Sequence, residues 1–203
     1  MAIGSWRRRL AMTMLRPVTA NPFLTGQFLL AMPGMGDSRF SRAVIAMCAH
    51  DENGALGIGL GATIAGLGFH ALLEQFGIDP GEAPDAPVHF GGPVEMQRGF
   101  VLHDRDWSGQ DTVDVAGRWA LSGTVDVLRA IAEGTGPERW VVALGYAGWS
   151  GGQLEGELAS PGWFTVAGDT ALLWDTDVAD RWTAAYQAAG VDPRLLVAGS
   201  GTA

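Results

Sequence analysis

Residues 140–158 read WVVALGYAGWSGGQLEGEL, and the fold depends on how this stretch is taken. Gly148-Trp149-Ser150-Gly151-Gly152 has the G-x-S-x-G spacing of a serine nucleophile elbow, with an apolar run before it and a helical pattern after it. An elbow would place the chain among parallel, doubly wound hydrolases, in which the catalytic histidine follows the serine. The four histidines, His50, His70, His89 and His103, all precede Ser150. The simpler reading is a buried strand that turns through glycines into a helix, with Ser150 and Gln153 forming an S-x-x-Q capping box. A strand apolar through its middle belongs at the centre of a sheet. A Gly-rich turn that opens a helix also presents free N–H groups, which suit a carboxylate or phosphate.

Working outward, LTGQFLLAM (24–32) and AVIAMCA (43–49) read as strands. Between them PGMGDSRF breaks the pattern, and Asp37 is placed to cap a single helical turn. Asn53-Gly54 between apolar runs predicts a hairpin and so an antiparallel pair. Phe69, Leu72, Leu73 and Phe76 recur at helical spacing before Gly77. VHFGGPV and GFVLHD read as strands, and DTVDVAGRWALSG as a hairpin turning at Ala116-Gly117. Thr124 is placed to cap the helix VDVLRAIAEG, and WFTVAG and ALLW read as short extended pieces before a last helix over about 177–189. Strands and helices are interspersed without regular βαβ alternation. The expectation is an α+β fold, a single domain with a mixed, largely antiparallel sheet flanked by helices. Residues 1–22 read as a basic leader, 23–198 as the domain and 199–203 as a tail.

Charge narrows the function classes. The chain carries 13 basic residues, all arginine, against 22 acidic ones, a net charge of −9. Affinity for nucleic acid comes from cations that neutralise phosphates, so this balance disfavours it. The basic cluster Arg7-Arg8-Arg9 in the leader is the feature on which a DNA-binding reading would rest. No apolar run approaches the roughly 18–20 residues that cross a bilayer. A single cysteine, Cys48, fits a reducing compartment, and the expected location is the cytoplasm.

The chemical candidates are sparse. Strict alternation along AMCAH places Cys48 and His50 on one face, where a histidine would activate the thiol of an enzyme or redox sensor. Against this stands an inert cysteine packed like an alanine. His50, Asp51 and Glu52, or His89 and His103, show no metal-ligand spacing, so no metal is expected. Gly57-x-Gly59 lacks the third glycine of a dinucleotide loop, and no cofactor is expected. Arg98, after Gly91-Gly92-Pro93, is a candidate anion contact.

Four stretches taken together resemble the YqgE/AlgH family of bacterial proteins: LTGQFLLAMPGMGDSRFSRAVIAMCAHDENGALG, HFGGPVEMQRGFVLH, GPERWVVALGYAGWSGGQLEGEL and RWTAAYQAAGVDP. The resemblance covers residues 24 to about 197. It implies a single α+β domain and no established enzymatic activity or catalytic residue; members carry the label of transcriptional regulator. The matching positions Arg98, His103, Tyr146, Gly148, Trp149, Gly152 and Gln153 are therefore candidates for contact with a protein partner or small ligand. Ser150 is not among them, since the family pattern commonly has Gly there. The family's G-L-V-I-N-R-P also becomes Gly57-Ile58-Gly59-Leu60-Gly61-Ala62-Thr63, so its Asn and Arg are replaced by Gly61 and Ala62. The sequence thus points to a non-enzymatic cytoplasmic binding protein with an indirect regulatory role.

Overall fold

The computed structural model describes residues 23–196, so the readings of the leader and tail lie outside the described residues. Ten strands form one curled sheet: β1 (Gln27–Ala31), β2 (Val44–Asp51), β3 (Gly54–Gly59), β4 (Thr63–Gly68), β5 (Pro87–Phe90), β6 (Val94–His103), β7 (Val113–Val115), β8 (Trp119–Ser122), β9 (Trp140–Ser150) and β10 (Trp163–Ala167). Five α-helices among the described residues flank it: α1 (Phe69–Gln75), α2 (Val125–Ala132), α3 (Gln153–Leu158), α4 (Thr170–Trp174) and α5 (Val178–Ala188). The main path runs β10-β1-β2-β3-β9-β6-β8-β7. It is antiparallel throughout; β5 on β9, the one parallel pair among the described residues, makes the sheet mixed. The expected α+β architecture is the observed one.

β9 holds the centre, as its apolar middle implies. Its first half pairs with β6 on one edge and β5 on the other, and its second half, from Ala147 to Ser150, pairs with β3. Gly145 makes the hand-over. Its φ of 72° is a left-handed value, and a Cβ there would lie 2.4 Å from the Gly92 carbonyl oxygen, so only glycine fits.

Both faces of the sheet are covered, which explains why β1 is apolar at successive positions rather than alternating. Phe28 and Leu30 join Val44, Ala46, Ile58 and Trp119 beneath α4 and α5. Leu29 and Ala31 point the other way, with Ile45, Met47 and Trp149 under α3. A third cluster seats Phe69, Leu72 and Leu73 of α1 and Val127, Leu128 and Ile131 of α2 on Val101 and Val142.

Several local readings need correction. ALLW is helical: Asp169 accepts a hydrogen bond from the Ala171 N–H and starts α4, a turn too short for its period to show in the sequence. Thr124 occupies the N-cap of α2 but its hydroxyl turns to Asp111 and Asp126, so it makes no side-chain cap. Phe76 is about half exposed and stands outside the α1 core stripe. Ser150 ends β9 and does not cap α3. Gly152 takes that place at φ 76°, and the Gln153 side-chain carbonyl accepts from both the Ser150 N–H and hydroxyl at 3.1 Å. Half of the expected box is present, around a glycine cap.

Cys48 and His50 do not share a face. The β2–β3 register slips between Met47 and Ala49, making Cys48 the extra residue of a bulge. Cys48 packs with Ile58 and Leu60, while His50 sits opposite Ala55, which packs with the α3 cluster.

Candidate functional site

The loop between β1 and β2, residues 32–43, is long for a hairpin and forms a strap across one end of the sheet. Asp37 starts its single 3-10 turn, Ser38–Phe40, by accepting from the Arg39 N–H at 3.0 Å. The same carboxylate takes a two-pronged contact from the Arg39 guanidinium, at 3.0 and 2.6 Å, and these hydrogen bonds hold the Asp37 carboxyl below its usual range. Phe40 then meets Trp163 edge-on, ring centres 5.4 Å apart.

Facing the strap is the β9–α3 corner. The Glu157 carboxylate there gathers three donors. Trp149 Nε1 reaches Oε2 at 3.0 Å, Trp163 Nε1 reaches the same oxygen at 2.9 Å, and Gln153 Nε2 reaches Oε1 at 3.0 Å. Burial opposes the charge on Glu157, but hydrogen bonds from Trp149, Gln153 and Trp163 prevail and lower its pKa. Strap and corner enclose a cleft of about 340 Å³, bordered by Arg39, Phe40, Pro93, Gly148, Trp149, Gln153, Glu157 and Trp163. It has aromatic sides, one held carboxylate and one neutralised Asp–Arg pair.

The structure therefore brings together three of the sequence candidates, Gly148, Trp149 and Gln153. Gly148 keeps the wall open beside Tyr146, since a Cβ there would come 3.0 Å from that ring. Tyr146 itself packs edge-on against Phe100 and does not border the cleft. Gly152 serves the backbone corner. Arg98 lies apart, exposed, 3.2 Å from Glu95 and stacked over Phe100. His103 is fully buried: its Nδ1 donates to the Asp104 carbonyl at 2.6 Å and its Nε2 accepts from Ser122 at 3.0 Å, and burial lowers its pKa.

Sequence reasoning did not find Glu157, Trp163 and Arg39. Two tryptophans and a glutamate spaced 149, 157 and 163 span a strand, a helix and another strand, so no single period links them. The available signal was an acidic residue within a helix flanked by tryptophans, since a half-buried indole N–H needs an acceptor.

The serine and the thiol each make a local contact: the Ser150 hydroxyl donates to the Gln153 side-chain carbonyl at 3.1 Å. Burial pushes the Cys48 thiol up to about 12, and its Sγ donates to the Ala46 carbonyl. His50 is committed elsewhere: its Nδ1 accepts from the Leu24 N–H at 3.0 Å, which leaves the proton on Nε2 to donate to Glu155 at 3.0 Å. It ties the start of the described chain to α3. Among the described residues no group of three or more His, Cys, Asp or Glu is arranged to hold a metal. No helix among them is long and apolar enough to cross a membrane.

This arrangement of strap, central strand and Trp–Glu–Trp corner lies within the segment, residues 28–194, that matches the family model described as AlgH-like, DUF179. The chain belongs to the AlgH-like family. A UPF0301 protein of Rhizorhabdus wittichii is 59% identical over 180 residues, covering 89% of this chain and 97% of that one. A UPF0301 protein of Novosphingobium aromaticivorans is 58% identical over 181 residues, with the same coverage. Among solved structures, the AlgH protein of Pseudomonas aeruginosa superposes with a TM-score of 0.72 at 40% identity, covering 91% of this chain and 98% of that one. A Corynebacterium diphtheriae protein, at 20% identity and TM-score 0.67 over 86% of this chain and 92% of that one, shares the fold. Gly61 and Ala62, the positions where this AlgH-like chain departs from the expected Asn and Arg, line a shallow recess that also includes Arg39 and Phe40 of the cleft.

Proposed function

We propose that this chain is a non-enzymatic cytoplasmic protein that binds a cationic group, an ammonium or guanidinium carried by a protein partner or small molecule, in the cleft between strap and corner. The observation that carries this reading is Glu157. A carboxylate held by three hydrogen bonds that lower its pKa, on a border that also includes Phe40, Trp149 and Trp163, attracts a cation through its charge and offers aromatic surface to the body that carries it. Asp37 adds a second carboxylate, and its pairing with Arg39 leaves the border without net positive charge. The cleft volume of about 340 Å³ falls at the lower end of small-ligand sites, enough for a side chain or a small amine. Non-catalytic binding is supported by the separation of Cys48 from His50 and by the internal hydrogen bonds of His103. A regulatory role would follow indirectly, through the partner held.

Titration with agmatine, followed by tryptophan fluorescence and by amide chemical shifts, tests the reading. Saturable shifts at Trp149, Gln153 and Trp163 are expected, with affinity reduced about tenfold in Glu157→Gln, as for the loss of one charge-assisted contact. Equal affinity of the variant, or preference for propionate over agmatine, would refute it.

A further inference from the structure

On the far side of the strap lies a larger cavity of about 800 Å³, between the strap, α5 and the 3-10 turn Pro193–Leu196. We propose that it is a second binding site, for an organic anion with an apolar or aromatic body, and that Arg42 is its anion contact. The inference is independent of the cleft and of Glu157.

Three observations converge on Arg42. Its backbone is left-handed, φ 53°, a conformation L side chains rarely adopt, and a Cβ on Gly61 would come 2.9 Å from its carbonyl oxygen. This placement turns the side chain over the Trp182 ring, 5.2 Å from the ring centre, at the cavity border. Among the described residues the guanidinium forms no ion pair with a carboxylate, whereas the other cavity arginine, Arg194, is neutralised by Asp192 at 2.7 Å. The cavity border is therefore net cationic on a chain whose total charge is −9.

The support under Arg42 is rigid. Trp182 is 7% exposed and its Nε1 donates to the Ala31 carbonyl at 2.9 Å. Tyr186 donates to the same carbonyl at 3.1 Å and packs edge-on against Trp182. Around this platform Met32, Pro33, Met35 and Val191 supply apolar wall, and Ser41, Thr183 and Gln187 supply hydrogen-bonding groups. A guanidinium on a fixed indole, with apolar walls and a few polar groups, is the composition of a site for a carboxylate, phosphate or sulfonate on a hydrophobic body. A bare inorganic anion would leave the apolar wall unused.

The test uses the full chain with 8-anilinonaphthalene-1-sulfonate and its neutral counterpart N-phenyl-1-naphthylamine, read by probe fluorescence. The key variant is Arg42→Gly, because glycine accepts the left-handed backbone while the guanidinium is lost together with its stem; Arg42→Lys keeps a stem and a charge, and the neutral probe reports any loss of apolar wall. The sulfonate probe is expected to bind one per chain, about tenfold more weakly in Arg42→Gly and within about threefold of the parent in Arg42→Lys. The neutral probe is expected to bind Arg42→Gly and the parent equally. Val191→Trp, which projects a bulkier side chain from the wall into the cavity, is expected to weaken both probes several-fold, and Glu157→Gln to alter neither. Equal sulfonate affinity in the parent and Arg42→Gly would overturn the anion site. Undiminished binding in Val191→Trp would overturn its location, and failure of the parent to bind the sulfonate would overturn both.

Discussion

Replacing Glu157 by leucine removes the shared acceptor of the Trp149 and Trp163 indoles. Both indoles belong to residues only 8% exposed, so their N–H groups find no ready substitute in water. A stranded buried donor costs about 1–3 kcal/mol. Gln153 is exposed and turns to solvent at little cost. Two stranded indoles, with partial relief because Glu157 itself is partly solvated, place the loss near 3 kcal/mol. At roughly 2–4 °C per kcal/mol for a chain of this length, Tm falls by about 6–12 °C at pH 7. Glu157→Gln keeps a carbonyl for both indoles and loses the charge, so its loss is nearer 1 kcal/mol. The two variants also differ in pH response. The Glu157 pKa is lowered in the folded state from 4.5, so its charge contributes stability above that pH. That contribution disappears as pH falls through the lower folded value. The gap between the parent and Glu157→Gln must therefore close in acid, since a protonated glutamate resembles glutamine, while the leucine gap persists. Calorimetry from pH 7 to pH 3 measures all three. A leucine variant within about 2 °C of the parent at pH 7, or a glutamine gap that does not shrink in acid, would refute the assignment of Glu157 as an ionised anchor.

Other expectations follow from the core. Arg181 is buried and donates to the carbonyls of Leu60, Leu172, Leu173 and Thr176, tying α4 and α5 to the β3 end. Arg181→Met should cost on the order of 3–5 kcal/mol in urea unfolding, because three buried acceptors and one part-buried one lose their donor. His89 is buried, its Nδ1 has no hydrogen-bond partner among the described residues, and burial followed by the nearby Arg181 charge lowers its pKa to about 4. A base depressed in the folded state is protonated first in the unfolded chain, so stability is complete above pH 6.5 and declines on acidification towards pH 4. The decline should amount to about 3 kcal/mol at 1.36 kcal/mol per unit. The urea midpoint against pH should be flatter in His89→Leu. Cys48, with its thiol raised to about 12, should resist iodoacetamide at pH 8 unless the chain unfolds, and mass spectrometry of the native chain should find it unmodified over hours.

The parts of the fold legible in the sequence were those encoded by local chemistry. Asn53-Gly54 and Ala116-Gly117 demand hairpin turns, and the latter pair has φ of 53° and 70°. The unbroken apolar run of β9 demands burial on both faces. The bulge at Cys48 has no such signature: one extra residue in a strand reverses every later side chain, and AMCAH reads equally well with or without it. ALLW failed for a related reason, because four apolar residues fit either period and the decision lay with Asp169. At the cleft, Trp149 and Gln153 were found because they belong to the strand-to-helix corner. Glu157, Trp163 and Arg39 became visible only when β10 and the strap folded against that corner. Arg181 gave no warning, since an arginine in an amphipathic helix ordinarily faces solvent.

The central position of β9 also sets the timetable of synthesis. Gly54 pairs with Ser150, and Gln27 with Ala167, so neither neighbour exists when the early strands leave the ribosome. At roughly 5–20 residues per second, the β2–β3 hairpin waits several seconds with an open edge before β9 is made. Exposed strand edges recruit other chains, and distant pairings close slowly. The nascent chain is thus most vulnerable to aggregation in that interval, and assembly of the sheet must be a late and largely concerted event, completed after the last strand has emerged.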